Sequence, residues 1–407
     1  MDFRPVGTGE RIAALDILRG FSLLGILLVN MFGFYLPMPH ISDLSNWFTN
    51  AQDIILQQLL DIYVQSSFYP LFSMLFGYGL AMQFLKAKAT GTNFYQFAPK
   101  RLGILFVVGM FHAIVIWWGD ILAMYAFCGV FLIALIRLPA KWALILAVVI
   151  NGLYHGFYLS LYVLSGFFEM TTDSISVNIE AIQNAITAYG VGSWTDAFMQ
   201  RLDDLSLQMG LAMWISALFT ILPYMLVGTA LAKWRLIERA KEKIVVWLVL
   251  AVLGIGIGIY MKSLPIAREQ IFGYEYLQVY IGGPILAIGY IAVVVLLVTQ
   301  FPIITRILSP IAKAGRMSMT LYLMQSIVCT TLFYNWGFGL YGKVDVQMGI
   351  YMAVAIFVIQ VLFAELWFSK FKQGPLEAAM KRLTYGKVLT GSKEETFEAY
   401  SSDLSEK

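Results

Sequence analysis

The chain has 407 residues, 59% of them hydrophobic and 13% charged, with a mean hydropathy of +0.73. A soluble domain carries roughly 25% charged residues, so this chain cannot clothe a water-facing surface and belongs to the membrane class. A net charge of +3 gives no case for nucleic-acid binding, and the two cysteines, Cys128 and Cys329, lie inside apolar runs, which excludes a disulfide framework.

A helix crossing a bilayer needs roughly 20 apolar residues at about 1.5 Å each. Ten runs meet that need, near 16–36, 66–85, 101–118, 120–137, 140–164, 210–232, 244–261, 278–299, 316–334 and 349–369. They are too long and too little alternating to be strands. The expectation is an all-α, polytopic integral membrane helix bundle of about ten transmembrane helices. It forms a single domain over 1–386, with outer loops at 37–65 and 165–209. The second loop mixes polar and apolar residues at helical spacing and predicts short helices over the outer mouth. The first run has no small-residue cleavage site after it and reads as a retained helix. The tail 387–407 is polar, with the composition of a disordered cytoplasmic segment.

Ten spans put both ends of the chain on one side. Arg201, Lys262, Arg268 and Lys343 fall opposite, and the other 24 of the 28 basic residues fall with the termini. By the positive-inside rule the termini are cytoplasmic.

Ionisable side chains inside spans are expensive and face a bundle interior or a wet cavity. Asp16 and Arg19 open the first span three residues apart, so they share a face and can pair. Asn30 lies near the outer end of that span, where an amide can tie helices together. His40 follows in the first outer loop. Gly77 and Gly79, like Gly254, Gly256 and Gly258 further on, allow close helix approach. His112 sits about 16 Å above Arg101 on the third span. Asp120 opens the fourth, where its carboxylate suits the helix start. Because Gly119 breaks the helix, Asp120 can also fold back to orient the His112 imidazole. His155, on the fifth span, reads first as a packed core residue. No Cys/His cluster fits a metal site and no Ser-His-Asp elbow is present.

Five blocks together carry a family resemblance: "RIAALDILRGFSLLGILLVN", "FYPLFSMLFGYGLAMQF", "RLGILFVVGMFHAIVIWWGDILAMYAFCG", "GRMSMTLYLMQSIVCTTLFY" and "QGPLEAAMKRLT". They resemble the bacterial YeiB-like inner-membrane proteins over nearly the whole chain. The resemblance marks Asp16, Arg19, Asn30, Gly77, Gly79, Arg101, His112, Gly119, Asp120, Gly315, Arg316, Gln325, Gly374 and Pro375 as motif positions. More distantly, "LDILRG" is similar to the transmembrane acyltransferase superfamily that includes the heparan-alpha-glucosaminide N-acetyltransferase. That similarity implies an acyl donor, often acetyl-CoA, taken from the cytoplasm and an acceptor hydroxyl or amine on the other face. It also implies a functional histidine near the outer end of the first helix, roughly where His40 stands.

The resulting expectation is a multi-pass acyltransferase of the bacterial inner membrane. His112 or His40 is the base, Asp120 the orienting carboxylate, and acetyl-CoA or another acyl-CoA the co-substrate. Arg19, Lys100, Arg101 and Arg316 cluster at inner helix ends, where they can hold donor phosphates. Two alternatives stand beside it. One is a transporter with His112, Asp120 and Gln325 along its path; the other is a membrane scaffold without catalysis. Partners are the bilayer and the small-molecule donor and acceptor, and a homodimer is open to such a chain.

Overall fold

The computed structural model of the protein describes residues 12–41, 44, 47–48, 50–167, 178–267 and 273–386. The polar tail 387–407 and the basic residues Arg4, Arg11 and Arg268 lie outside the described residues. Every regular element among the described residues is helical. In chain order these are α1 Ala13–Tyr35, α2 Ala51–Tyr63, α3 Phe68–Ala89, α4 Phe94–Phe111, α5 Leu122–Leu135, α6 Ala140–Phe167, α7 Ile179–Gly190, α8 Trp194–Gln208 and α9 Leu211–Thr220. There follow α10 Leu222–Lys233, α11 Ile244–Ala267, α12 Tyr274–Leu277, α13 Gly283–Gln300, α14 Pro302–Ile307, α15 Ser309–Arg316, α16 Ser318–Phe333, α17 Val346–Lys370 and α18 Pro375–Tyr385.

Among the described residues eight stretches are long and apolar enough to cross a membrane: α1, α2 with α3, α4 with the turn after it, α6, α9 with α10, α11, α12 through α13, and α17. Two shorter apolar helices, α5 and α16, stand at the two remaining expected positions. The expected short helices of the second outer loop are α7 and α8. The first outer loop holds α2, which meets α3 through a kink where Ser66 takes a positive φ of 58°.

α1 is the central element and packs against α3, α13, α15, α16 and α17. Without a hydrophobic drive between helices in lipid, such contacts depend on close backbone approach. At the α1–α15 crossing, a Cβ on Gly20 would overlap the Ile311 carbonyl and one on Gly315 the Asp16 carbonyl. The α3–α10 pair is reciprocal: Gly77 lies on the Met225 carbonyl and Gly228 on the Met74 carbonyl. Gly254 and Gly258 do the same against α13. The expectation fails at Gly79 and Gly256. Gly79 lies on the wall of a cavity, with only the Arg19 guanidinium near it, and Gly256 faces open space. Each stands two residues from a crossing glycine, about 200° round the helix, and so points away from the crossing.

The exposed sides of α6, α11 and α17 carry large apolar residues, among them Val148, Leu153, Val252, Tyr260, Ile359 and Leu366. In a bilayer these face lipid. Gly77→Ala should lower the unfolding midpoint in detergent, at a cost of about 1–3 kcal/mol from overpacking. Gly256→Ala should leave the midpoint unchanged or raise it slightly, since the added methyl meets nothing and alanine is the better helix former.

Candidate functional site

The third span does not end as a plain α-helix. After α4 the chain widens into a π-turn over His112–Ile116 and turns extended at Trp117. This break begins at His112, well ahead of the Gly119 hinge expected, and returns the chain on itself. Asp120 then reaches back, and its Oδ2 stands 2.8 Å from His112 Nδ1 with both side chains fully buried. Its other oxygen accepts the Ala123 N–H at 2.8 Å in the first turn of α5. The two roles foreseen for Asp120, capping and orienting, are thus divided between its two oxygens. With the carboxylate on Nδ1, the imidazole lone pair lies on Nε2, which is buried and has no hydrogen-bond partner among the described residues.

Small residues make this turn fit. A Cβ on Gly109 would strike the Ala123 amide and Asp120 Oδ1, and one on Gly119 would enter the Trp117 ring. The Trp117 indole donates to the Gly33 carbonyl of α1 at 3.2 Å. On the other side Tyr322 of α16 lies 5.3 Å from the imidazole, ring to ring, and donates to the Gly119 carbonyl at 3.3 Å.

Two cavities meet at this place. The inner cavity, so named for the end of the bundle at which α1 starts, is about 380 Å³ and is lined by Arg19, Arg101 and Arg316 and by Lys86, Lys372 and Lys381. Deeper in, its walls are Ile26, Leu105, Ile121, Tyr125 and Tyr322. Its one carboxylate, Glu377, is occupied: it accepts from the Met319 and Thr320 amides at 2.9 and 3.1 Å and from the Thr320 hydroxyl at 2.6 Å. Glu377 therefore caps α16 from α18, and six cations face the inner cavity around one committed anion. Arg19 also pairs with buried Asp16 at 2.9 Å, and Arg316 lies over the Phe368 ring at 4.2 Å. The outer cavity, about 230 Å³, is lined by Asn30, Ser66, Gly119, Asp120, Gln208, Ser216 and Thr220 among apolar residues. Ile26 and Ile121 line both cavities. His112 lines neither; Tyr322 separates it from the inner cavity.

His40, at the end of a short 3-10 turn, belongs to a different cluster. Its Nε2 stands 2.9 Å from Asp204 Oδ1 of α8, and its side chain is 13% exposed. Tyr189 and Gln200 also donate to Asp204, at 2.7 and 2.9 Å. Burial pushes the Asp204 carboxyl up, while the bonds from Tyr189, Gln200 and His40 draw it back down. One turn earlier on α8, fully buried Arg201 donates to the Val115 carbonyl at 2.7 Å, at the end of the π-turn. One helix, α8, thus supports both histidines.

The other expected residues separate cleanly. Lys100 is exposed and lines no part of the inner cavity. Gln325 is buried in a clamp, donating to the Leu23 carbonyl at 3.3 Å and to Gln360 at 3.0 Å, and lines neither cavity. His155 pairs with the Tyr276 hydroxyl at 2.7 Å and is buried among tyrosines. Among the described residues no group of three or more His, Cys, Asp or Glu could hold a metal ion. Sequence reasoning missed Lys86, Lys372, Lys381, Glu377, Tyr322 and Asp204. For Asp204 a signal existed, since Arg201 and Asp204 stand on the same face of an amphipathic helix as Ala197 and Leu205.

The chain is 34% identical over 398 residues to the uncharacterized protein YxaH of Bacillus subtilis (strain 168), spanning 94% of this chain and 96% of that one. The family described as "Protein of unknown function (DUF418)" matches residues 231–387. The chain belongs to this family. It is also 27% identical over 410 residues to the uncharacterized protein YeiB of Escherichia coli (strain K12), covering 92% of this chain and 96% of that one. An uncharacterized 39.9 kDa protein of Bacillus acidopullulyticus is 25% identical over 402 residues, 94% of this chain and 96% of its own. Within this DUF418 protein the matched segment supplies Arg316, Tyr322, Lys372, Glu377 and Lys381 to the inner cavity. Arg19, Arg101 and the His112–Asp120 pair come from before it.

Asp120→Ala should remove the α5 cap and leave His112 Nδ1 buried without a partner, costing about 2–4 kcal/mol. Asp120→Asn keeps a capping oxygen and should cost less. Thermal unfolding in detergent compares both with the wild type; an Asp120→Ala midpoint equal to the wild type's would mean that the carboxylate does not hold the turn together.

Proposed function

We propose that the protein is a membrane acyltransferase that moves an acyl group from a cytoplasmic acyl-CoA to a hydroxyl or amine at the outer face. One observation carries it: a cavity lined by six cations and one committed carboxylate leads to Tyr322, which adjoins a buried His–Asp pair. Coenzyme A carries several phosphates, and arginine meets phosphate with charge-assisted, bidentate bonds. The apolar deep walls suit the pantetheine arm and a short acyl group. The polar outer cavity, which no Lys or Arg lines, suits an uncharged or cationic acceptor.

In the transfer, the acceptor O–H or N–H attacks the thioester carbonyl and passes its proton to His112 Nε2, which is the atom left free by Asp120. The C–S bond breaks, and the thiol leaves with that proton. Tyr322 and Ile121 must shift for the acceptor to come within about 3 Å of the imidazole. The membrane is a bacterial inner membrane with both termini in the cytoplasm and ten crossings. The basic residues support this orientation, because the arginine-lined cavity then opens to the cytoplasm, where acyl-CoA is found.

His40 is the rival base, favoured by its partial exposure beside Asp204. A transporter is the second reading, favoured by two cavities back to back across Ile26 and Ile121. Gln325, in its clamp, would then play no part in the path.

Purified protein titrated with acetyl-CoA or free CoA should show saturable binding. Arg101→Ala or Arg316→Ala should weaken it roughly ten- to hundredfold, the effect of losing one charge-assisted bond. Acyl transfer is abandoned if the wild type shows no saturable binding. His112→Ala should bind CoA as the wild type does and lose turnover of acetyl-CoA. Turnover that survives this change would assign the base to His40.

A further inference from the structure

A second basic recess, of about 640 Å³, opens at the same end of the bundle as the arginine-lined cavity, and acyl transfer makes no use of it. Three cations from separate elements line it: Lys88 near the end of α3, Arg137 in the α5–α6 turn and Lys233 at the end of α10. Thr92, Asn93 and Tyr95, at the start of α4, line it too, and no carboxylate does. The cations are held in place. The Arg137 guanidinium stacks over the Tyr95 ring at 4.8 Å. The Lys233 amine lies 5.6 Å from the centre of the Phe84 ring and donates to the Ile136 and Leu138 carbonyls. Lys88 and Lys233 repel each other across the recess.

Basic residues at inner helix ends are ordinary membrane anchors. That accounts for which side they occupy. It does not account for three of them, two fixed on aromatic rings, converging on one recess without a counter-charge. Like charges held together in a partly enclosed space call for an anion. The start of α4, an 18-residue helix, adds its amide dipole on the same side.

The surroundings decide what kind of anion. Pro139 lines the recess, and α6 begins at the next residue. α6 is the least buried of the long spans, with 11% of its window inside the protein. Trp142, Ile145 and Val149 carry an exposed apolar stripe up the helix from the recess, and Trp142 is 57% exposed. Trp234, beside Lys233, is 42% exposed at the same level, as a membrane-interface tryptophan is. A charged recess that continues into a lipid-facing apolar stripe fits an amphiphile better than a free ion. We infer that Lys88, Arg137 and Lys233 hold the phosphate headgroup of an anionic phospholipid, whose acyl chains lie along α6.

The test uses the full chain in detergent and reads its thermal unfolding midpoint. Phosphatidylglycerol is added against phosphatidylethanolamine and against inorganic pyrophosphate. Phosphatidylglycerol should raise the midpoint in a saturable way, and the other two should not. The double variant Lys88→Gln, Arg137→Gln should bind phosphatidylglycerol roughly thirtyfold more weakly, as expected for two interfacial cations lost. Lys233 is left intact because it caps the α5–α6 turn. If the double variant does not fold, Lys88→Gln alone, at an exposed position, should still give a weaker response. An equal response in wild type and variant overturns the site. An equal response to pyrophosphate overturns the lipid and makes it a soluble phosphate site. The variant should keep CoA binding in the central cavity, so the outcome here is separate from that of acyl transfer.

Discussion

The two oxygens of the Asp120 carboxylate hold the centre of this protein. One takes the Ala123 amide in the first turn of α5, and the other takes the imidazole of His112. A helix beginning inside a bundle leaves several N–H groups without partners, and water is not there to serve them. A charged side chain in such a place is costly unless every lone pair is used. Here one cost offsets another: the carboxylate is stabilised by the amide dipole of α5 and by the imidazole N–H. The imidazole in turn gains a defined tautomer and orientation. The chain can make this arrangement only because α4 unwinds through a π-turn and Gly109 lets α5 come close.

The charges of the inner cavity follow a complementary logic. Glu377, the carboxylate among them, is held at the start of α16 by the Met319 and Thr320 amides and the Thr320 hydroxyl. Gly374 and Pro375 position it: Pro375 starts α18 without needing an amide partner, and the absence of a Cβ on Gly374 lets the Glu377 carboxylate lie back over the turn. The cationic character of the cavity comes from six basic residues set against this one carboxylate. Deleting this carboxylate would both unfasten the two helices and make the cavity more positive.

How much of this could be read from the chain depends on the length scale of each signal. The spans were legible because burial in lipid demands long apolar runs, and α1, α3, α6, α11 and α17 all answer to such runs. The His112–Asp120 pair was legible because two ionisable groups eight residues apart, across a glycine, are anomalous in apolar surroundings. Arg19, Arg101 and Arg316 were legible as a group because helix ends on one side of a membrane must lie near each other. Lys100 shares that end but points outward, since adjacent helical residues lie about 100° apart. Gln325 looked functional because polar groups in spans are rare, yet a glutamine can satisfy itself on another glutamine, as it does with Gln360. Tyr322 gave no warning, because an aromatic in an apolar run is the ordinary case. The partner of His40 was hidden by distance: Asp204 follows it by 164 residues, and no local pattern links them.

The division of the interior into two cavities has a consequence for either functional reading. The same two side chains, Ile26 and Ile121, bound both spaces, so the barrier between the two faces of the bundle is about one layer of apolar side chains thick. Such a layer is sufficient to stop ions, for which the cost of entering an apolar constriction is high. It is also thin enough for a reactive group held on one side to be met from the other after a rotamer change. Asp120 precedes Ile121 and holds His112, so movement of this layer and orientation of the imidazole are mechanically joined. Tyr322 bears on the same unit through the Gly119 carbonyl. A guest that pushes Tyr322 aside from the inner cavity therefore acts on the peptide next to Asp120. That gives the occupied inner cavity a direct mechanical route to the histidine, without any motion of the helices that frame it.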